Sequence, residues 1–146
     1  MLEALLTKNT IRLHVRAKNW EDAIRKGGAL LQESGAVEQS YVEAMICAVQ
    51  DLGPYMVIAP GIAMPHAKAE AGVKHLAMSL LTLESPVEFG NHDNDPVWLV
   101  LCLAAVDHTT HLQAMSEMAM LLSDAEKMNQ IKAAKCREDV LSLLKV

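Results

Sequence analysis

The sequence predicts an α/β fold, a sheet of about five strands with helices packed on it, and three observations carry that prediction. Ile11, Leu13 and Val15 alternate with Arg12, His14 and Arg16, the period-2 pattern of a strand with one wet face. Two runs, Leu76 to Leu83 and Val97 to Ala105, are dominated by apolar residues, as expected of strands covered on both faces. Around them stand segments whose apolar residues recur at helical spacing, and such an alternation of periods is what helix layers on a sheet require.

A chain of 146 residues, 51% of them hydrophobic, can build one core and is too short for two ordinary ones, so a single domain over 1–146 is expected. The net charge of -5 and the lack of a Lys/Arg cluster exclude a general nucleic-acid binder and suit a basic protein partner. Cys47, Cys102 and Cys136 are odd in number, widely spaced and without a CxxC pair, which reads as a reducing compartment. No apolar run has the length of a signal peptide or membrane span, and a cytoplasmic location is expected.

In chain order, a short N-terminal helix precedes the Ile11 strand. Asn19 then caps a helix carrying Trp20, Ala23, Ile24, Gly27, Leu30 and Leu31 on one face, with Glu21 and Asp22 in its first turn and Gly35 at its end. A second helix presents Val37, Tyr41, Ala44, Met45, Ala48, Val49 and Leu52 and stops at Gly53-Pro54. Tyr55 to Ala59 reads as a strand broken at Pro60-Gly61, and Ile62 to Met64 as a short extended piece leading into Pro65-His66. The turn-rich segment Gly90 to Asp95 separates the two apolar strands. The last third is helical, over 110–122 with Leu112, Met115, Ala119 and Leu122 on one face, then 125–134 and 138–144.

The chemistry concentrates in Gly61-Ile62-Ala63-Met64-Pro65-His66-Ala67. Proline fixes its own φ and biases Met64 toward extended geometry, so His66 stands on a stiff mount past a strand end. A neutral imidazole can attack a phosphoryl group and pass it on from a labile phosphohistidine. The added oxygens need donors, and a helix N-terminus or a second imidazole would serve. Thr110-His111-Leu112-Gln113 fits a capping box, with Thr110 as N-cap and Gln113 at N3, placing His111 in the first turn beside the helix's positive end.

The run GPYMVIAPGIAMPHA, the NDP-led apolar strand some thirty residues later and the segment AAVDHTTHLQAM together resemble the EIIA components of the mannitol/fructose class of the sugar phosphotransferase system. The phrasing is nearest to the ascorbate-specific branch of that class. The resemblance implies a mixed sheet covered by helices on both faces, with His66 phosphorylated on Nε2 and His111 beside it. It implies a phosphoryl donor, the histidine phosphocarrier protein, and an acceptor, a cysteine of an EIIB component, with a membrane EIIC permease beyond. No cofactor or metal is implied. The arginine usual in the preceding helix of the family is absent, and Gln50 takes its positional match.

Ile62, Ala63, Met64 and Ala67 are expected to form a small apolar docking surface around the nucleophile, with Thr110 and Gln50 supporting the phosphoryl group. Two other functions remain open on the sequence: a regulatory EIIA-like protein acting by binding, and a metal-dependent hydrolase using His66, His108 and His111. His75 and His92 are expected to meet solvent, and Cys102 to lie inert in the core.

Overall fold

In the computed structural model, which describes residues 1–144, the apolar segments meet in a five-stranded sheet of order β1-β4-β5-β3-β2. The strands are β1 (Ile11–Val15), β2 (Val57–Ala59), β3 (Ile62–Ala63), β4 (Ala77–Val87) and β5 (Val97–Ala104). β4 and β5 pair antiparallel at the centre, β1 joins β4 and β3 joins β5 in parallel, and β2 forms an antiparallel edge on β3. The sheet is therefore mixed, as expected. The helices among the described residues are α1 (Leu2–Leu5), α2 (Trp20–Glu33), α3 (Gln39–Leu52), α4 (His108–Leu122), α5 (Ala125–Ala133) and α6 (Arg137–Leu144).

The central strands are mostly apolar over their paired, buried lengths because successive residues enter opposite cores. Leu81, Val100 and Cys102 pack with Ala23, Ile24, Tyr41 and Met45 of α2 and α3. Leu80, Leu101 and Leu103 point the other way, against Leu2, Met118, Ile131 and Val140 of the remaining helices. Burying a side chain of this size contributes roughly 1.5–3 kcal/mol, so a polar residue at an alternate position would gain nothing from solvent. Ser79 and Thr82 are the buried polar exceptions within β4, whose outer end, Glu84 and Ser85, is exposed. Ser79 Oγ donates to the Gly27 carbonyl at 2.8 Å, and Thr82 Oγ1 accepts the His14 N–H at 2.9 Å.

Gly27 lets α2 lie close to the sheet: a Cβ there would stand 2.6 Å from Cys102 Sγ. The Asn19 cap forms as expected, its Oδ1 accepting the Asp22 N–H at 2.9 Å. The turn before β5 closes on itself, with the Asp95 carboxylate accepting the N–H groups of Phe89, Gly90 and Asn91.

Two sequence expectations for α4 are corrected. The helix starts at His108, and its N-cap is Asp107, whose Oδ1 accepts the Thr110 N–H at 2.7 Å. A carboxylate outcompetes a hydroxyl as acceptor. The Thr110 hydroxyl accordingly turns donor, reaching Asp107 Oδ1 at 3.0 Å, and Thr110 sits at N3. The fully buried residues of α4 are Ala114, Met118 and Leu121; the expected Met115 and Leu122 pack half-buried beside them, whereas Leu112 and Ala119 are exposed. Both sets have helical spacing, and only contact with the sheet decides between them.

β2 and β3 are shorter than the pattern suggested, and Gly61 is the reason they can pair. Its φ of +79° turns the chain, its N–H reaches the Asn94 carbonyl at 2.8 Å, and a Cβ would meet Trp98 Cδ1 at 2.5 Å. Left-handed backbone and overpacking act together at this position, so Gly61→Ala is expected to lower stability by about 2–4 kcal/mol in urea unfolding. An unchanged midpoint would show that neither constraint operates.

Candidate active site

His66 leaves the sheet at the end of its interior strand. The Met64 N–H bonds the Met56 carbonyl at 2.8 Å, and the Leu103 N–H bonds the Pro65 carbonyl at 3.0 Å, so the two residues before His66 are held from both sides. The His66 Nδ1 lies 2.8 Å from the Met64 carbonyl oxygen. A carbonyl can only accept, so Nδ1 carries the proton and donates, which leaves Nε2 with its lone pair. The ring is partly exposed. The remaining nitrogen thus keeps a free lone pair by tautomer, and the strand supplies the carbonyl that selects it.

Two rings flank it. Tyr55, in the turn after α3, meets His66 edge-on with centroids 5.7 Å apart and planes at 89°. His111, from α4, lies at 5.4 Å with a tilt of 57°. The structure therefore brings together the two histidines that the sequence singled out. Tyr55 had no assigned role beyond its place in a strand pattern.

His111 occupies the fourth helical position, and its N–H is bonded to the Asp107 carbonyl at 3.1 Å. It does not stand at a free positive helix end, contrary to expectation. Its imidazole is pushed below the ordinary histidine value first by burial, then by the neighbouring charges that His66 and His108 would carry. A neutral ring at neutral pH retains one N–H to donate. The bonds from the Thr110 N–H and hydroxyl hold the Asp107 carboxyl below the usual carboxylate range. One of the donors that a helix N-terminus would offer an incoming anion, the Thr110 N–H, is thereby engaged by the helix's own cap.

The expected supporting residues fare differently. The Thr110 hydroxyl is committed to Asp107. Gln50 is exposed in the last turn of α3, and its side chain makes no hydrogen bond among the described residues. Ile62, Ala63 and Met64 are 5%, 0% and 1% exposed, which corrects their placement on a docking surface. β3 has a strand on each side and a core on each face, so its side chains have no route to a partner. Ala67 remains partly exposed. Exposed apolar side chains instead include Tyr55, Ile58, Val106 and Leu112.

His75, His92 and His108 are exposed, and no group of three or more His, Cys, Asp or Glu side chains converges among the described residues. Cys102 is fully buried, and burial raises its thiol to about 12. Cys47 and Cys136 are exposed, and all three cysteines are free. Sequence reasoning assigned Tyr41 to the core and nothing more. It is fully buried, and its hydroxyl accepts the Ala67 N–H at 2.9 Å. The signal that could have found it is the phenol itself, since a buried tyrosine hydroxyl needs a polar partner.

The family described as the phosphoenolpyruvate-dependent sugar phosphotransferase system EIIA 2 matches residues 4–146. The chain belongs to this family. As an EIIA component it has a phosphoryl carrier role, and its fold is that of the mannitol-type EIIA structures. The ascorbate-specific EIIA component of Escherichia coli K12 is 39% identical over 143 residues, covering 97% of this chain and 93% of that protein. The mannitol-specific cryptic enzyme IIA of Escherichia coli superposes with a TM-score of 0.88 at 30% identity, over 98% of this chain and 97% of its own. The complex of mannitol enzyme IIA and phosphorylated enzyme IIB from Escherichia coli matches with a TM-score of 0.84 at 28% identity, over 96% of this chain and 98% of that one. No helix among the described residues of this EIIA is long and apolar enough to cross a membrane.

The depressed value at His111 has a consequence for stability. As pH falls through the ordinary histidine range near ~6.5, the unfolded chain takes up a proton at this position before the folded chain does. The unfolded state then binds more protons, so stability falls with pH until the folded-state value is passed. His111→Gln is expected to flatten this slope between about pH 7 and 5 in urea midpoints measured across the range. An equal slope in both proteins would show that His111 titrates as a free histidine.

Proposed function

We propose that this EIIA accepts a phosphoryl group on His66 Nε2 from the histidine phosphocarrier protein and delivers it to a cysteine of an EIIB component that serves ascorbate uptake through a membrane permease. The observation that carries the acceptor assignment is the bond from Nδ1–H to the Met64 carbonyl, which leaves Nε2 unprotonated on a partly exposed ring. In the forward step the Nε2–P bond forms as the donor's N–P bond breaks. The proton on Nδ1 stays in its bond to Met64, so no general base is needed.

His111 supports the reading as a neutral donor to the phosphoryl oxygens, its ring neighbouring that of His66 with centroids 5.4 Å apart. The EIIB acceptor is supported by the mannitol IIA–IIB complex, whose IIA shares this fold at 28% identity. The ascorbate assignment is supported by the 39% identity to ascorbate-specific components. The hydrolase alternative needs three metal donors at one point, and the described residues do not assemble them.

Incubation with phosphoenolpyruvate and the general carrier proteins, read by intact mass, tests the assignment. His66→Ala is expected to take up no phosphoryl group, and His111→Ala to transfer more slowly by on the order of 10²-fold. Normal labelling of His66→Ala would refute the acceptor. Onward transfer to an ascorbate EIIB is expected from the phosphorylated protein, and transfer to no EIIB would replace the transport role with a regulatory one.

A further inference from the structure

Three of the four residues from Met64 to Ala67 are held by backbone hydrogen bonds or by a side chain from elsewhere, and the restraint after His66 differs from those before it. Met64 and Pro65 are secured by main-chain bonds to Met56 and Leu103. Ala67 is secured by a side chain: its N–H donates to the Tyr41 hydroxyl at 2.9 Å, and that hydroxyl donates to the Leu103 carbonyl at 2.7 Å. A hydroxyl has one proton, and the Leu103 contact is the shorter of its two possible acceptors, the Ala67 carbonyl lying at 3.3 Å. The result is a closed circuit of Pro65 carbonyl, Leu103 N–H, Leu103 carbonyl, Tyr41 hydroxyl and Ala67 N–H, with His66 as the residue it encloses.

The geometry points to Tyr41 as the positioning residue of the phosphoryl site, a side chain that touches no reacting atom but fixes the backbone on the far side of His66 and thereby the direction of Nε2. This rests on His66 being the acceptor. Tyr41 is fully buried in the first turn of α3, where its ring is wedged among core residues and cannot follow a loop movement. Burial also pushes the phenol well above its ordinary value, so it stays a donor throughout the working range. With the hydroxyl removed, the Ala67 N–H and Leu103 carbonyl lose their partner, the His66 backbone torsions gain freedom, and the Nδ1 bond to Met64 is no longer the single favoured arrangement. Attack by Nε2 depends on near-linear approach to phosphorus, and a misplacement of about 1 Å is enough to slow such a step by roughly 10²-fold.

Tyr41→Phe keeps the ring and its packing, and Val42→Ala, a neighbouring buried position in the same helix, serves as a control for lost stability alone. Phosphoryl transfer from the phosphorylated histidine phosphocarrier protein is measured at concentrations that separate kcat from KM, and the His66 ring nitrogens are followed by ¹⁵N NMR. Tyr41→Phe is expected to lower kcat between about 10- and 100-fold with KM unchanged within twofold, and to shift the His66 nitrogens toward a mixture of tautomers. Val42→Ala is expected to leave both readouts as in the parent. A wild-type kcat and unchanged nitrogen signals in Tyr41→Phe would overturn the positioning role, as would an equal loss in Val42→Ala or an effect confined to KM. Labelling of His66→Ala would remove the acceptor instead, so the two failures are distinct.

Discussion

The hydrogen bond from the His66 ring to the Met64 carbonyl is the interaction on which the site depends. An imidazole free in solution exchanges its proton between two nitrogens, and only one of them can be the nucleophile at a time. Here the choice is made by main chain, because the accepting oxygen belongs to the residue two positions back and is carried on the end of a strand paired on both sides. The two-residue strand β3 would be too short to stand alone. Its value lies in being enclosed by β2 and β5, which turns a brief extended piece into a rigid base.

The electrostatics of the site follow from what is missing as much as from what is present. The sequence offers Gln50 where an arginine is usual in the family, and the structure leaves that side chain exposed. The N-terminus of α4 is capped by the Asp107 carboxylate, which takes up the Thr110 N–H and sets a negative charge beside the helix end. The partner imidazole, His111, is pushed toward its neutral form by burial and by the charges beside it. A doubly charged phosphoryl group in this environment would be met by neutral donors rather than by a fixed cation, which suits a carrier whose task is to release what it has received.

Much of the fold could be read from residue patterns. The five strands, the Asn19 cap and the glycine stops at Gly35 and Gly53 depend on local rules of alternation, side-chain capping and positive φ, all visible in sequence. The face of α4 could be read only in part: Met115 and Leu122 do reach the core, whereas Leu112 and Ala119 compete with Ala114, Met118 and Leu121 at helical spacing and lose. The helix start was misplaced by choosing the threonine over the stronger aspartate acceptor. At the site, the proximity of His66 and His111 was legible from a motif and its resemblance, whereas Ile62, Ala63 and Met64 looked like surface only because adjacency in sequence was taken for adjacency to solvent. Tyr41 was hidden for a different reason. Its partners are main-chain atoms of two distant segments, and no pattern of side chains marks them.

β5 has a further consequence for the pair of imidazoles. Its residue Leu103 holds the Pro65 carbonyl beneath one ring, and the chain then runs through Ala105 to Asp107 directly into the helix that carries the other. Both rings are thus referred to the end of the same central strand. A shift of that strand end acts on both rings together. A phosphoryl carrier gains from having a common datum for the two imidazoles.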